Sequence, residues 1–316
     1  MNPNLNSIGV VVVTYHPAGE VEARLAMMAA QGGGLVVVDN DSGAEVRARL
    51  AEICTRRGWE LLANPENLGL GVALNQGVRR LAQRGFSWAL MFDQDSEPAA
   101  AMSERMTDTL RNHPEGGRVA VVGANFREAA TGRRHRILRR HPRVPGFFQK
   151  IAPGADDLAE VSMVITSGSM VRVADFEALG RFDEGFFIDY VDTDFCLRCV
   201  ERSRLVAVSS AAQFDHEFGR RTRSRWCGLE LQPTNHPALR HYYIARNRIP
   251  MWRRHAWRLP HWAVFDLATA GLWLFRVLAA EEDKKRKIRA MALGTWDGLR
   301  GRTGPCPECR RALLAS

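Results

Sequence analysis

The chain has 316 residues, 46% hydrophobic and 25% charged, which fits a globular protein with a sizeable core in one large domain or two small ones. Its 44 Lys and Arg against 35 Asp and Glu leave a formal charge of +9, with basic stretches at Arg133–Arg143, Arg220–Arg225, Arg246–Arg258 and Lys284–Arg289. That charge suits phosphates or an anionic membrane face, while the lack of a nucleic-acid motif or of regularly interleaved aromatics speaks against a nucleic-acid partner.

Ile8–Thr14 is a continuous Val-rich run of the kind found in buried parallel strands, and Thr14-Tyr15-His16 follows it. Helical spacing through Val21, Leu25 and Met28 predicts a helix over Glu20–Gln31, ended by three glycines. A second buried strand, Leu35–Val38, stops at Asp39-Asn40. A helix over Ala44–Arg57 and a short strand near Glu60–Ala63 come next. Leu68–Arg84 reads as a helix with Gly69, Ala73 and Gly77 spaced four apart on one face, and with Asn67 and Asn75 as polar handles.

The strand Trp88–Phe92 delivers Asp93-Gln94-Asp95 to its end. Period-two alternation would point both carboxylates the same way, and a hard divalent cation is the usual partner for such a pair. A helix near Met102–His113 and strands at Val119–Gly123 and Val161–Thr166 continue the alternation, the last leading into Ser167-Gly168-Ser169. In the acidic run Phe187–Arg198, a helix starting near Asp189 puts Asp192 in its first turn, where the macrodipole favours a carboxylate. Asp194 and Arg198 have the spacing of a helix ion pair, and His216 follows the strand Leu205–Val208. The alternation predicts an α/β fold with a mostly parallel sheet whose ligands bind at the strands' carboxyl ends. Taken singly, Asp39 reads equally as a helix cap, the glycine stripe as plain packing, Asp192 as an acidic helix start and His216 as structural.

Past Arg240 the chain turns helical and rich in Arg and Trp, giving a division into 1–240 and 241–316. No segment has the uncharged length of a bilayer span, because Trp262–Ala280 is interrupted by Asp266 and Arg276. Lys284, Lys285, Arg286 and Lys287 follow it, so the segment reads either as a membrane-surface helix with its cations on the head groups or as a packed helix with a solvated tail. Six scattered Cys and a start without a basic or apolar leader predict reduced thiols and a cytosolic setting. A zinc shared by Cys196/Cys199 and Cys306/Cys309 would need a long fold-back and is set aside.

Seven pieces together resemble the inverting, nucleotide-sugar-dependent glycosyltransferases of family 2, with the GT-A fold, and most resemble the bacterial rhamnosyltransferases of O-antigen and other surface polysaccharides. They are Val11–Pro17, Val37–Asn40, Asn67–Gly77, Phe92–Ser96, Thr166–Ser169, Phe187–Arg198 and Tyr242–Asn247, in a resemblance that runs from Val10 to about Gly301. Two positions depart from the pattern: His16 stands where Asn is usual, and Asp194 where Glu is common.

The resemblance implies a Rossmann-like sheet flanked by helices, with a helical C-terminal extension. It implies a donor site of Thr14, Tyr15, Asp39, Asn40, Asn67, Gly69, Asn75, Asp93, Gln94, Ser167 and Gly168, with Asp39 on the base. It makes Asp93, Asp95 and His216 the ligands of Mg²⁺ or Mn²⁺ and Asp192 the general base. The implied donor is dTDP-L-rhamnose and the acceptor a glycan or glycolipid, at the inner face of the plasma membrane, with a homo-oligomer left open. The rival readings are a non-catalytic nucleotide-sugar binder on the same fold and a family member using a UDP- or GDP-sugar. A nucleotidyltransferase would want a Gly-rich basic loop after the first strand, which Tyr15-His16-Pro17 does not provide.

Overall fold

The computed structural model describes residues 5–128, 137–140, 144, 148–151, 158–216, 224–226, 229–231 and 235–315. The basic stretches Arg133–Arg143 and Arg220–Arg225 fall largely outside the described residues. The Val-rich run forms β1 (Ile8–Thr14), and α1 (Val21–Ala29), β2 (Leu35–Asn40), α2 (Ala44–Arg57), β3 (Glu60–Asn64), α3 (Leu70–Gln83) and β4 (Trp88–Asp93) follow it. Then come β5 (Glu97–Pro98), α4 (Met102–Asn112), β6 (Val119–Glu128), β7 (Ile137–Arg140), β8 (Phe148–Ile151), β9 (Leu158–Val161), β10 (Ser169–Arg172), α5 (Val173–Ala178), α6 (Val191–Glu201) and β11 (Leu205–His216). After β12 (Ser224–Trp226) and β13 (Leu229–Leu231) the chain is helical: α7 (Ala238–His255), α8 (Pro260–Ala280), α9 (Lys284–Leu299) and α10 (Glu308–Ala315).

The chain divides into two compact units along other lines than 1–240 and 241–316. One holds Met1–Arg139, Lys150–Glu184 and Val191–Glu217; the other takes Arg140–Gln149, Gly185–Tyr190 and Phe218–Ser316.

The first unit is built on one sheet in the order β3-β2-β1-β4-β10-β6-β11-β5, with β9 added on β11. β3, β2, β1 and β4 are mutually parallel, as the strand–helix alternation requires. Beyond β4 the sheet is mixed, because β10 runs antiparallel to both β4 and β6. The strand expected over Val161–Thr166 is absent: β9 ends at Val161, and Ser167-Gly168 form the turn that enters β10. The reason lies in Gly168, whose φ of +72° belongs to a turn, with Ser169 bonded back to Thr166 O at 3.0 Å.

Ile8, Val10 and Val12 of β1, with Leu35 and Val37 of β2 and Trp88, Leu90 and Phe92 of β4, point to one face of the sheet. They pack there with Leu25 and Met28 of α1, Leu50 and Ile53 of α2, and Met102 and Met106 of α4. α3 covers the opposite face, where Gly77 lets it close on Val11 of β1.

The second unit has its own core of Phe187, Tyr242, Tyr243, Ala290, Cys306 and Leu314. α8 corrects the expectation that no segment is long enough to span a bilayer: its 21 residues suffice by length and composition. The helix carries Asp266 on its inward side, bonded to Arg248 Nε at 3.0 Å, Trp252 Nε1 at 2.7 Å and Tyr190 Oη at 2.9 Å, so the charge does not interrupt the outer face. The basic run after α8 is also divided by the fold. Lys287 turns inward to Glu281 at 2.9 Å, and Arg286 donates to Leu314 O, while Lys284 and Lys285 stay exposed.

His241 completes this buried cluster, with its Nε2 3.3 Å from Glu281 and its ring stacked on Trp273. Burial is the chief cause that lowers its pKa from 6.5 to about 4, with Lys287 and His236 adding to the shift and Glu281 opposing it. The unfolded chain therefore takes up this proton at a higher pH than the folded one. The stability that comes from a neutral His241 is complete above pH 6.5 and is lost as the pH falls toward 4. The loss should reach up to about 3 kcal/mol, and His241→Gln should flatten the curve in urea titrations across that window.

Candidate active site

The parallel register sets the site's frame. Thr14 pairs with Asp39 and Val13 with Asp93, which brings the carboxyl ends of β1, β2 and β4 to one level. Asp39 is wholly buried. Its Oδ1 accepts from the Thr14 hydroxyl at 3.0 Å and from the Ser42 hydroxyl, and its Oδ2 from Ser42 N–H at 3.3 Å. Ser42 Oγ in turn accepts from His16 N–H at 2.9 Å. Asp39 thus organises two loops and is not the cap of α2, whose N-cap is Gly43, without a side-chain cap bond.

A second network lies one step along β2. Asn40 donates to Asn67 Oδ1 at 3.0 Å and accepts from Asn64 and from Leu68 N–H, both at 3.1 Å. Asn67 also accepts from Gly69 N–H, and Gly69, at φ +91°, caps α3 ahead of its first turn and so lies outside the helix expected from Leu68. Asn75 uses its whole amide on the loop before α6. It donates to Phe182 O at 3.0 Å and Glu184 Oε1 at 2.9 Å, and it accepts from Phe182 N–H at 3.1 Å.

The acidic pair takes a different form from the expected one. β4 ends at Asp93, and Asp93–Ser96 is a turn closed by Ser96 N–H to Asp93 O at 3.1 Å. Strand alternation therefore does not orient Asp95, which is exposed while Asp93 is half-buried. Gln94 spends its amide on the backbone of Tyr15, accepting from its N–H at 2.7 Å and donating to its O at 3.0 Å. Tyr15 itself remains exposed. Ser167 anchors the turn: its Oγ accepts from Asp93 N–H at 3.1 Å and lies 2.7 Å from Ser96 Oγ. Gly168 N–H reaches Met91 O at 2.8 Å, and Phe214 sits 3.1 Å from where a Cβ would stand, so this position accepts no side chain without strain.

Asp192 lies in the first turn of α6, as expected, although the helix begins at Val191. Its Oδ1 accepts from Thr193 N–H at 2.7 Å and from the Thr193 hydroxyl at 3.3 Å. It lines a small pocket with Met91, Thr166, Ser169, Phe182 and Phe195. The neighbouring acids are committed elsewhere. Asp194, wholly buried, pairs with Arg198 at 2.8 Å, and Asp189 pairs with Arg240 at 2.9 Å. Cys196 and Cys199 are buried on the same helix, and burial raises both thiols, Cys199 to about 12.

Among the described residues no three of His, Cys, Asp and Glu converge as a metal cage. His216 ends β11, and its side chain lies outside the described residues. A Mg²⁺ or Mn²⁺ site that takes most of its oxygens from a diphosphate and water needs only one or two carboxylates from the protein. Asp95 makes no ion pair or side-chain hydrogen bond among the described residues, and the Asp93–Ser96 turn fits such a site.

Sequence reasoning did not single out Ser42, Asn64 or Ser96. Ser42 stands three residues after Asp39, the spacing of a side chain closing a local turn, and that spacing was a signal available in advance.

Residues 10–180, more than half of the chain, match the family model described as Glycosyl transferase family 2, and the chain belongs to that family of glycosyltransferases. It is 29% identical over 309 residues to dTDP-rhamnosyl transferase RfbF of Shigella flexneri, covering 96% of this chain and 98% of that protein. Among solved structures it is similar to GalNAc-T7 with UDP, GalNAc and Mn²⁺, at TM-score 0.54 and 12% identity, over 78% of this chain and 51% of that one. The chain therefore spans about half the length of that structure. It is similar also to the mannosyltransferase PcManGT of Pyrobaculum calidifontis in complex with GDP-Man and Mn²⁺, at TM-score 0.52 and 13% identity, over 93% of this chain and 87% of that one. These two likenesses bear on the fold, which is the expected GT-A arrangement.

Ser167→Ala removes the acceptor of Asp93 N–H and the partner of Ser96 in a buried setting. Chemical denaturation should register a loss of about 1–3 kcal/mol. A loss within a few tenths would mean that the turn is held by its neighbours alone.

Proposed function

We propose that the chain is an inverting rhamnosyltransferase that passes L-rhamnose from dTDP-L-rhamnose to a hydroxyl of a glycan or lipid-linked glycan. The observation that carries this is the likeness to dTDP-rhamnosyl transferase RfbF along nearly the whole of both chains. The residue arrangement is consistent with it. Asp39 has three donors on a carboxylate with about four acceptor sites, leaving one for a base N–H. Asn40, Asn67, Asn75, Gln94, Ser167 and Gly168 act in this reading by holding the loops that surround the donor, and Thr14 acts through Asp39.

Asp93 and Asp95 would hold a Mg²⁺ or Mn²⁺, with His216 as a further ligand. The cation supplies positive charge to the departing diphosphate. Asp192 takes the proton of the acceptor hydroxyl as that oxygen attacks the anomeric carbon from the face opposite the leaving group.

A transfer assay over dTDP-, UDP- and GDP-sugars tests the donor, with turnover expected for dTDP-L-rhamnose. Turnover with a UDP- or GDP-sugar alone would overturn the donor assignment, and none with any donor would favour a binding protein. Excess EDTA should abolish transfer, and Asp95→Ala should lower it by orders of magnitude with the fold intact by circular dichroism; full activity in EDTA would remove the cation from the mechanism.

Asp192→Asn keeps the shape of the side chain but not its basicity. The transfer rate should fall by roughly 10²–10⁴ while donor affinity, read by calorimetry, is retained. A wild-type rate in this variant would mean that another group takes the proton.

A further inference from the structure

We propose that the second unit docks on an anionic bilayer through the outer face of α8, lying in the plane of the interface. At 1.5 Å per residue, α8 is a rod of about 30 Å. One face is spent on its own unit: Trp262, Ala263, Asp266 and Val277 are buried. The other is apolar and open. Val264, Leu267, Leu274, Phe275 and Leu278 fall at helical spacing along one stripe with Gly271, and Leu267 is 62% exposed. The stripe contains no charged residue. A contiguous apolar patch of this kind on a protein surface marks an interaction site.

Cations bound the stripe at both ends. Arg254 and Arg258 are exposed before the helix, beside Trp257, which at 95% is almost fully exposed. Lys284, Lys285 and Arg289 are exposed after it, on the same side of α9 as Ile288. The acidic residues of the turn, Glu282 and Asp283, are fewer than these cations. An apolar helix face, an exposed indole and flanking Lys and Arg are what an interfacial helix presents to anionic lipid. A crossing would instead demand that the buried side of α8 meet hydrocarbon, and there Asp266 holds Arg248, Trp252 and Tyr190. In-plane docking leaves that network untouched. No residue of this face is among those assigned to transfer, so its test does not depend on that reading.

The test is co-sedimentation of the full chain with vesicles of phosphatidylcholine alone and of phosphatidylcholine with phosphatidylglycerol in equal parts. Wild type should pellet with the anionic vesicles and much less with the neutral ones. Changing Lys284, Lys285 and Arg289 together to Gln should weaken anionic binding on the order of a hundredfold. Lys287 is left in place, since its loss would strand the buried Glu281. Changing Leu267, Phe275 and Leu278 together to Gln should weaken binding to the anionic vesicles while leaving the circular dichroism spectrum and the transfer of sugar to a water-soluble acceptor unchanged. Failure of the wild type to pellet with anionic vesicles, or pelleting of both variants like the wild type, would overturn the proposal. So would sedimentation velocity showing a wild-type dimer that the apolar triple variant splits, without vesicle binding, because the face would then belong to a second copy of the chain.

Discussion

Removing a carboxylate from water costs several kcal/mol unless donors surround it. Asp39 is wholly removed, and the ends of β1 and β2 supply the donors. The Thr14 hydroxyl and the Ser42 amide and hydroxyl converge on one side chain, and Ser42 then takes the His16 amide. The loop after β1 and the loop after β2 are therefore ordered by one charge, and neither can shift without leaving that charge short of partners. Both His16 and Asp41 sit at positive φ, at 48° and 76°, conformations that cost free energy and persist where surrounding bonds impose them.

The same logic runs across the first unit. Side chains that look in sequence like ligand contacts are often the pins of the site. Gln94 closes both its amide groups on Tyr15, Asn75 closes its own on the Phe182–Glu184 loop, and Ser167 holds the Asp93 turn. The side chains left toward solvent at these strand ends include Tyr15, His16, Glu66 and Asp95. A site built this way is preorganised: hydrogen bonds made once, on folding, position the reactive groups before any substrate arrives.

The frame of the first unit was readable because its elements announce themselves by period. The Val-rich strands and the helix over Ala44–Arg57 needed only apolar spacing, and parallel pairing then put Thr14, Asp39 and Asp93 at one end. Direction and local turns were not readable in that way. A strand reads alike in either direction, so nothing in the sequence marks the antiparallel course of β10, and the apolar residues after Val161 suggest a strand up to Thr166 where the ladder of β9 has already stopped. Asp95 was assigned a strand orientation because nothing in Asp-Gln-Asp-Ser marks where the ladder stops. Lys287 sat in a uniformly basic run, and only helical phase against Glu281 separates it from Lys284 and Lys285. For Asp266 the charge was visible in sequence, but its inward partners lie 14 residues or more away along the chain.

The motif Tyr242–Asn247, prominent in sequence, turns out to serve a strained segment of the second unit. Phe187, Asp189 and Tyr190 all take φ values near +60°, where L-residues other than Gly are disfavoured. Such residues cost of order 1–3 kcal/mol each, so the loop Gly185–Tyr190 needs compensation nearby. Asn247 Nδ2 donates to Phe186 O at 2.9 Å, Ile188 O at 2.8 Å and Asp189 O at 3.1 Å. Arg246, buried against Tyr242 and Tyr243, donates to Gly185 O and Phe186 O at 3.2 and 3.1 Å. Arg240 adds an ion pair to Asp189, and the Phe187 ring stacks on Tyr243 at 5.1 Å. An arginine and an asparagine side by side on α7 therefore serve as donors to carbonyls that no helix or strand satisfies. A Lys or a Gln at the same positions has the charge or the amide but not the reach and fork that match this set of carbonyls.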